Sequence, residues 1–232
     1  AGRQFGLSAP GRGARAGPDE CLTPRLTSLA SSLHSLAMST IDYYRDHAAR
    51  YAARTWDLDV SALYPAFLAH VPRGGSILDV GSGSGRDGAA FQRLGYRVLG
   101  IDASPDMCIV SGLRSLVSVR CLRVEEVPAA WADRFDGVWA CASLLHVADV
   151  DLYPTLRRLL HVLRNDGWIY ASFREGVGMR TTKDGRTYLD MTGPDLKKNL
   201  EIAGFVDAHT WTTADVSGRD ITWVHGLART AG

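Results

Sequence analysis

The feature that most constrains this chain is a glycine-rich segment lying between an apolar run and an amphipathic run. Residues 77–88 read ILDVGSGSGRDG, and the apolar run at 76–80 predicts a short buried strand. Residues 86–94 predict a helix that ends at Gly95. A strand followed at once by glycines and a helix is typical of the first unit of a parallel sheet, where the free N–H groups of the helix start can face a ligand.

Strand and helix patterns alternate along most of the rest of the chain. The predicted strands after the first are residues 96–101, 117–122, 135–141, 168–173, 205–213 and 221–228. Between them, helices are predicted from Ser104, along a leucine stripe that stops at 165–167, and from Thr192 to Gly204. This alternation predicts an α/β fold, a Rossmann-like doubly wound and mostly parallel seven-stranded sheet with helices on both faces.

Composition excludes several classes of protein. The 26 basic residues against 25 acidic ones give a net charge of +1, which offers no field for collecting nucleic acid. No apolar run approaches the roughly 20 residues that cross a bilayer, so no membrane span is expected. The four cysteines form no C-x-x-C pair, which fits a reducing compartment and favours a cytoplasmic protein.

Residues 1–37 differ from the remainder, being rich in Gly, Pro, Ser and Arg and poor in acids. Such a composition is typical of a transit peptide, but it also fits a disordered or non-native extension. We favour the extension, because patterned sequence begins directly after Met38. Residues 38–232 are therefore predicted to form a single domain. Two helices, at about 41–55 and 60–71, are expected before the first strand, with Pro65 in the first turn of the second.

The spacing of the glycines distinguishes between the known classes of ligand-binding loop. A dinucleotide fingerprint needs glycine at positions one, three and six, and position six counted from Gly81 is Arg86. A P-loop needs Lys followed by Ser or Thr after its last glycine, and Gly85 is followed by Arg86 and Asp87. Both phosphate-binding loops are disfavoured, which makes an NAD-dependent oxidoreductase the weaker alternative.

The glycines instead fall at positions one, three and five, and Asp79 precedes them by two residues. This D-x-G-x-G-x-G segment resembles the class I S-adenosylmethionine-dependent methyltransferases, over roughly residues 41–228. The resemblance implies an antiparallel last strand, an N-terminal helical lid, and S-adenosyl-L-methionine as cofactor. It also implies that the loop cradles the methionyl part, with Asp79 near the ammonium, which is sound because each charge favours the other.

Asp102 ends the second predicted strand, where a carboxylate can accept hydrogen bonds from both ribose hydroxyls. Met107 is expected either to pack against the adenine or to belong to the core. The family usually carries an acid beside the adenine after the third strand. Here Val124 and Glu125 are the candidates, with the acid offset by one position, although Glu125 and its neighbour also fit a solvated pair.

The remaining cofactor candidates follow from the same resemblance. Tyr51, Arg54 and Arg86 are candidates to meet the cofactor's carboxylate, although packing explains Tyr51 equally well. Cys141 is expected to be a small residue under the cofactor rather than a nucleophile. The full predicted cofactor set is Tyr51, Asp79, Gly81, Ser82, Gly83, Gly85, Arg86, Asp102, Ala103, Met107, Val124, Glu125 and Cys141.

The acceptor is expected to be a small molecule. The segment after the fourth strand has neither the Asn/Asp-Pro-Pro-Tyr/Phe motif of amino-methylating enzymes nor a Pro-Cys pair, which disfavours a nucleobase. His146 is predicted either as a catalytic base or as a structural histidine. Tyr44 and Arg174 are candidate substrate residues, and Arg174 is also explained by a solvated basic loop.

Other residues of this region have simpler interpretations. The remaining histidines show no metal-ligand spacing, and Trp211 and Trp223 are expected in the core. Because no base is certain and the adenine acid is offset, a protein that binds the cofactor without turnover is a third alternative.

Overall fold

The computed structural model describes residues 39–232. The expectation for residues 1–37 lies outside these residues, and a single domain over 38–232 stays a prediction. Helix α1, Thr40–Thr55, begins with a capping box in which the Ser39 side chain accepts from the Asp42 N–H and the Asp42 carboxylate accepts from the Ser39 N–H. Its buried face carries Tyr43 and alanines at helical spacing.

Nine strands form the two sheets of the described residues. They are β1 Ser76–Val80, β2 Arg97–Asp102, β3 Ser118–Cys121, β4 Phe135–Ala140, β5 Leu163–Arg174, β6 Gly178–Thr181, β7 Thr187–Asp190, β8 Val206–Ala214 and β9 Thr222–Arg229. The large sheet has the order β3-β2-β1-β4-β5-β9-β8. Strands β1 to β5 run parallel, and β9 is antiparallel to both β5 and β8. The predicted mostly parallel, seven-stranded, doubly wound sheet with an antiparallel last strand is confirmed.

Helices cover both faces of this sheet. They are α2 Tyr64–Leu68, α3 Arg86–Arg93, α4 Pro105–Ser115, α5 Asp149–Val162 and α6 Gly193–Ile202. Adjacent residues of β1 pack on opposite faces of the sheet. Leu78 belongs to the larger buried cluster, and Ile77 packs with Phe91 and Trp139 on the other face. None of the helices within residues 39–232 is both long and apolar enough to cross a bilayer.

The second predicted helix is wrong over most of its length. Residues Ser61–Leu63 form a 3₁₀ turn, and only Tyr64–Leu68 is α-helical. Pro65 has no N–H to donate back to Ser61, so the α-helical hydrogen bond from this position to Ser61 is lost. Pro65 does lie in the first turn of α2, as expected.

The segment after β5 is more regular than predicted. The sequence also explains Arg174 by a solvated basic loop, but Arg174 ends β5 and the residues after it form an antiparallel hairpin of β6 and β7. The Asp184-Gly185 pair, with Gly185 at φ +83°, is the turn signal that identifies it. Strand β5 also begins earlier than expected, because α5 ends at Val162 and residues 163–167 already belong to the strand, with a bulge opposite β4 and Asp166 at φ +58°.

Candidate active site

The glycine loop turns at the carboxyl end of β1 and its glycines have different tasks. Gly81 and Gly83 have φ values of +66° and +54°, and a Cβ on Gly81 would lie 2.4 Å from the Cβ of Ser143. Gly85 starts α3 at φ +82°, and a Cβ there would lie 2.8 Å from the Ser111 hydroxyl of α4. Gly81 and Gly83 line the cleft, whereas Gly85 allows α3 and α4 to approach and is outside the cavity walls.

Two cavities, of about 410 Å³ and 240 Å³, meet at this loop. Both are lined by Gly81 and Gly83 from the loop, by Tyr44 and Tyr51 from α1, and by His146 after β4. Helix α1 therefore forms a wall of both cavities, as expected of the predicted lid. Volumes of this size suit small molecules and cofactors.

The smaller cavity lies at the end of β2, where Asp102 is turned toward the glycine loop. Its Oδ2 accepts a hydrogen bond from the Gly83 N–H at 3.0 Å, and its Oδ1 accepts from the Ser104 N–H at 2.9 Å. Burial raises the pKa of Asp102, although these backbone N–H groups act against that rise. Each oxygen retains a lone pair for a hydroxyl of a ligand in the cavity.

The far wall of the smaller cavity contains the adenine candidates Ala103, Met107, Val124 and Glu125. Met107 is 1% exposed and packs with Ala52 of α1 while also lining the cavity, so it is a core residue and a wall residue at once. Glu125 lies in a 3₁₀ turn and its Oε1 is 3.1 Å from an Nη of Arg123. The offset acid thus reaches the cavity wall with its side chain 25% exposed.

The larger cavity contains Asp79 beneath the glycine loop. Its side chain is almost fully buried, and none of the ion pairs found within residues 39–232 includes it. Burial raises the pKa of Asp79, and the nearby carboxylate of Asp87 raises it further. A cationic group in this cavity would relieve both effects.

Asp87 was not predicted as a site residue, yet it is the centre of the best-connected buried network beside the cavity. It accepts hydrogen bonds from the Tyr64 hydroxyl at 2.8 Å and the Trp139 Nε1–H at 2.9 Å. Arg86 Nε and Nη2 add two more at 2.6 and 3.0 Å. Burial alone would raise the pKa of Asp87, but Arg86 outweighs it and the pKa is lowered. The carboxylate is therefore ionised and holds Arg86 at the cavity wall.

His146 lies between α1 and β7. Its Nδ1 is 2.8 Å from the carbonyl oxygen of Thr187, which can only accept, so Nδ1 carries the hydrogen. Its Nε2 then accepts from the Tyr44 hydroxyl at 3.0 Å. Burial, together with the smaller effect of the positive charges of Arg186 and Arg174, lowers the pKa of His146 to about 4. The imidazole is neutral at pH 7, with its basic nitrogen on the Tyr44 side.

Cys141 lines the larger cavity just after β4. Burial raises the pKa of its thiol to about 12, and neighbouring Asp87 contributes in the same direction. A neutral thiol is a poor nucleophile, which supports its interpretation as a small residue of the cavity floor. Among residues 39–232 no group of three His, Cys, Asp or Glu side chains is arranged to hold a metal ion.

Arg174 ends β5 and lines the larger cavity, together with Trp223 of β9. Trp211 and Trp223, both expected in the core, are half-buried side chains that pack against its two buried clusters. Trp223 faces the cavity and donates its Nε1–H to Asp215 at 2.9 Å. Trp211 lies on β8, which is an edge strand with one side uncovered.

A doubly wound sheet whose cleft opens at the carboxyl ends of β1 and β2 defines a Rossmann-like protein that binds a nucleoside cofactor. A family model described as a methyltransferase domain matches residues 78–171. A ubiquinone biosynthesis O-methyltransferase of Xanthomonas axonopodis pv. citri is 33% identical over 214 residues, covering 81% of this chain and 88% of that protein. The chain belongs to the S-adenosylmethionine-dependent methyltransferases, and S-adenosyl-L-methionine is its cofactor.

Solved structures agree with this family. The structure of Burkholderia thailandensis 1,6-didemethyltoxoflavin-N1-methyltransferase, with 1,6-didemethyltoxoflavin and S-adenosylhomocysteine bound, has a TM-score of 0.67 and 25% identity. The match covers 93% of this chain and 94% of that one. Haemonchus contortus phosphoethanolamine N-methyltransferase 2, in complex with S-adenosyl-L-methionine, has a TM-score of 0.64 at 15% identity, over 82% of this chain and 60% of that one. The second match shows the fold alone.

The cleft also fits the cofactor on its own chemistry. A buried carboxylate without a cation partner, Asp79, suits an ammonium, and the loop at Gly81 leaves no room for a side chain. At the other end, Asp102 lines the smaller cavity with a carboxylate that can accept hydrogen bonds from ribose hydroxyls.

Proposed function

We propose that this enzyme transfers the methyl group of S-adenosyl-L-methionine to a hydroxyl group of a small molecule, with His146 as the proton acceptor. The observation that carries the proposal is the chain from Tyr44 through His146 to the Thr187 carbonyl, at the junction of the two cavities. The relatives in ubiquinone biosynthesis, which are named O-methyltransferases, support oxygen as the nucleophile.

The cofactor is proposed to lie across both cavities. Asp102 would accept the ribose hydroxyls, and the adenine would lie among Ala103, Met107, Val124 and Glu125. The methionyl part would then lie along Gly81, Ser82 and Gly83, with Asp79 at the ammonium and Tyr51 and Arg86 toward the carboxylate, above Cys141. Bound in this way, the cofactor supplies a methyl group on a positively charged sulfur, which is a good leaving group.

The protein's part is alignment and removal of one proton. The acceptor hydroxyl would donate a hydrogen bond to the Tyr44 oxygen. As the new O–CH₃ bond forms and the S–CH₃ bond breaks, its proton would pass to Tyr44 while the Tyr44 hydrogen passes to Nε2 of His146. A base whose pKa is about 4 does not ionise a phenol beforehand. It can take the proton during methyl transfer, because the hydroxyl becomes a much stronger acid as the O–CH₃ bond forms.

The proposal is tested by methyl transfer from labelled cofactor to a panel of phenols, alcohols and amines, using wild type and His146→Gln. We expect kcat to fall by about 10²–10⁴-fold in the variant, with the affinity for S-adenosylhomocysteine unchanged. His161→Gln is the matched control, since His161 is exposed on α5. Transfer to nitrogen only, or an unchanged kcat in His146→Gln, would refute this role.

Two broader statements accompany the proposal. The acceptor is proposed to be a small molecule because the cavity beside His146 has a volume of about 410 Å³, which suits a small ligand. A cytoplasmic location is proposed because the four cysteines of the sequence form no C-x-x-C pair, which fits a reducing compartment. Fractionation of the cells that produce the protein tests the location.

A further inference from the structure

The larger cavity ends in a group of arginines at the carboxyl end of β5. Arg174, Arg180 and Arg186 surround the ring of Tyr188, with their guanidinium carbons 4.3, 4.5 and 5.6 Å from its centroid. Two of these arginines, Arg174 and Arg186, also line the cavity, as does Arg219. Such a concentration of positive charge needs compensation when it is partly removed from water.

Three of these four arginines have an acidic partner in the protein. Arg180 pairs with Asp190, Arg186 pairs with Asp184 at 2.6 Å, and Arg219 pairs with Asp215 at 2.6 Å. Their charges are therefore neutralised within the fold. They form a rim around the fourth arginine and offer no surplus charge to a ligand.

Arg174 is the exception. None of the ion pairs found within residues 39–232 includes it, and its buried Nε has no hydrogen-bond partner. It stacks on Tyr188 and lies 5.9 Å from the ring of Trp223, so its position is set by packing rather than by an acid. A guanidinium that lines a cavity without an ion-pair partner is suited to bind an oxyanion.

The cofactor's own carboxylate is poorly placed to supply that charge. Strand β5 is two strands away from β1 in the sheet, with β4 between them, so the backbones of these two strands are about 10 Å apart. On the loop side, Arg54 and Arg86 already line the cavity. His146, in contrast, lies on the same side of the cavity as Arg174. Both side chains contact Tyr188, whose ring centroid is 4.8 Å from that of His146.

We infer that the methyl acceptor carries a carboxylate that Arg174 binds, while its hydroxyl faces Tyr44 and His146. This inference rests on the proposed function and names the acceptor class. A single unpaired guanidinium matches one negative charge, which favours a carboxylate over a doubly charged phosphate ester. The half-buried Trp223 beside it favours an acceptor with a flat ring.

The test uses matched acid and amide pairs, titrated by calorimetry with and without S-adenosylhomocysteine. The probes are para-hydroxybenzoate, protocatechuate, salicylate and lactate, each against its amide, together with para-hydroxyphenyl phosphate. For the wild type we expect at least one acid to bind about tenfold or more tightly than its amide and than the phosphate. In Arg174→Met that preference should vanish while S-adenosylhomocysteine still binds.

Arg134→Met is the matched control, because Arg134 also stacks on an aromatic ring, that of Trp131, but at the opposite end of β4. It removes the same charge and should keep the preference for the acid. Arg174→Lys retains the charge and should keep part of the preference for the acid. This variant still tests the role of the charge if Arg174→Met does not fold.

The outcomes separate the two proposals. If no acid binds more tightly than its amide in the wild type, whether or not any probe binds, the inference is overturned. The same holds if the preference survives in Arg174→Met or if the phosphate ester binds best. Failure of the proposed function would appear separately, as absence of S-adenosylhomocysteine binding or of methyl transfer to oxygen.

Discussion

The hydrogen bonds accepted by Asp87 are expected to contribute a measurable part of the free energy of unfolding. In Asp87→Asn the carboxylate that accepts four hydrogen bonds becomes an amide, and its NH₂ group meets donors where it needs acceptors. Arg86, whose side chain is 20% exposed, loses its partner. Removing one member of a buried pair costs about 3–5 kcal/mol. For a chain of this size that corresponds to a fall in Tm of roughly 6–20 °C.

The assay is urea unfolding of wild type and Asp87→Asn at pH 7, followed by tryptophan fluorescence, which reports Trp139 in the same network. Glu201→Gln is the control, because the Lys197–Glu201 pair is 3.8 Å long and about half exposed, so its loss should not be resolved. A loss below about 1 kcal/mol in Asp87→Asn would refute the reasoning, since it would mean that Arg86 is solvated as well as it is paired.

Two further predictions concern pH and the glycine loop. His225 is 2% exposed and burial lowers its pKa to about 4, so the unfolded chain takes up the proton first as pH falls from 6.5 toward 4. Between pH 7 and pH 5 the free energy of unfolding should therefore drop about 2 kcal/mol more in wild type than in His225→Gln, and equal drops would contradict this. In Gly81→Ala the new methyl group would collide with Ser143, so we expect lost S-adenosylhomocysteine binding, whereas Gly95→Ala, at φ +92° in open space, should keep it.

Sequence reasoning succeeded where the informative residues are neighbours along the chain. Asp79, the glycines and Asp102 lie at the ends of two consecutive strands, so the order of a parallel sheet brings them to one edge whatever the packing elsewhere. The helix start at Ser104 follows from local capping chemistry in the same way.

Prediction from the sequence failed for contacts between distant parts of the chain and for properties that depend on burial. The Asp87 network joins residues 23 and 52 positions apart, and no spacing rule indicates it. The hairpin of β6 and β7 was missed because its strands of four residues are too short and too polar to show alternation. Arg174 was recognised as a basic residue, but only packing shows that its neighbours are paired and it is not.

The central claim is that the carboxylate of Asp102 binds the sugar of the cofactor. It is tested most directly by titrating S-adenosylhomocysteine into wild type, Asp102→Asn and the control Asp106→Asn, which removes the same charge from the first turn of α4. A hydrogen bond to a charged group contributes about 1.5–3 kcal/mol, so we predict binding by wild type and control and a Kd about 10–150-fold higher in Asp102→Asn. No heat from folded wild type, or equal Kd values in all three proteins, would contradict the account.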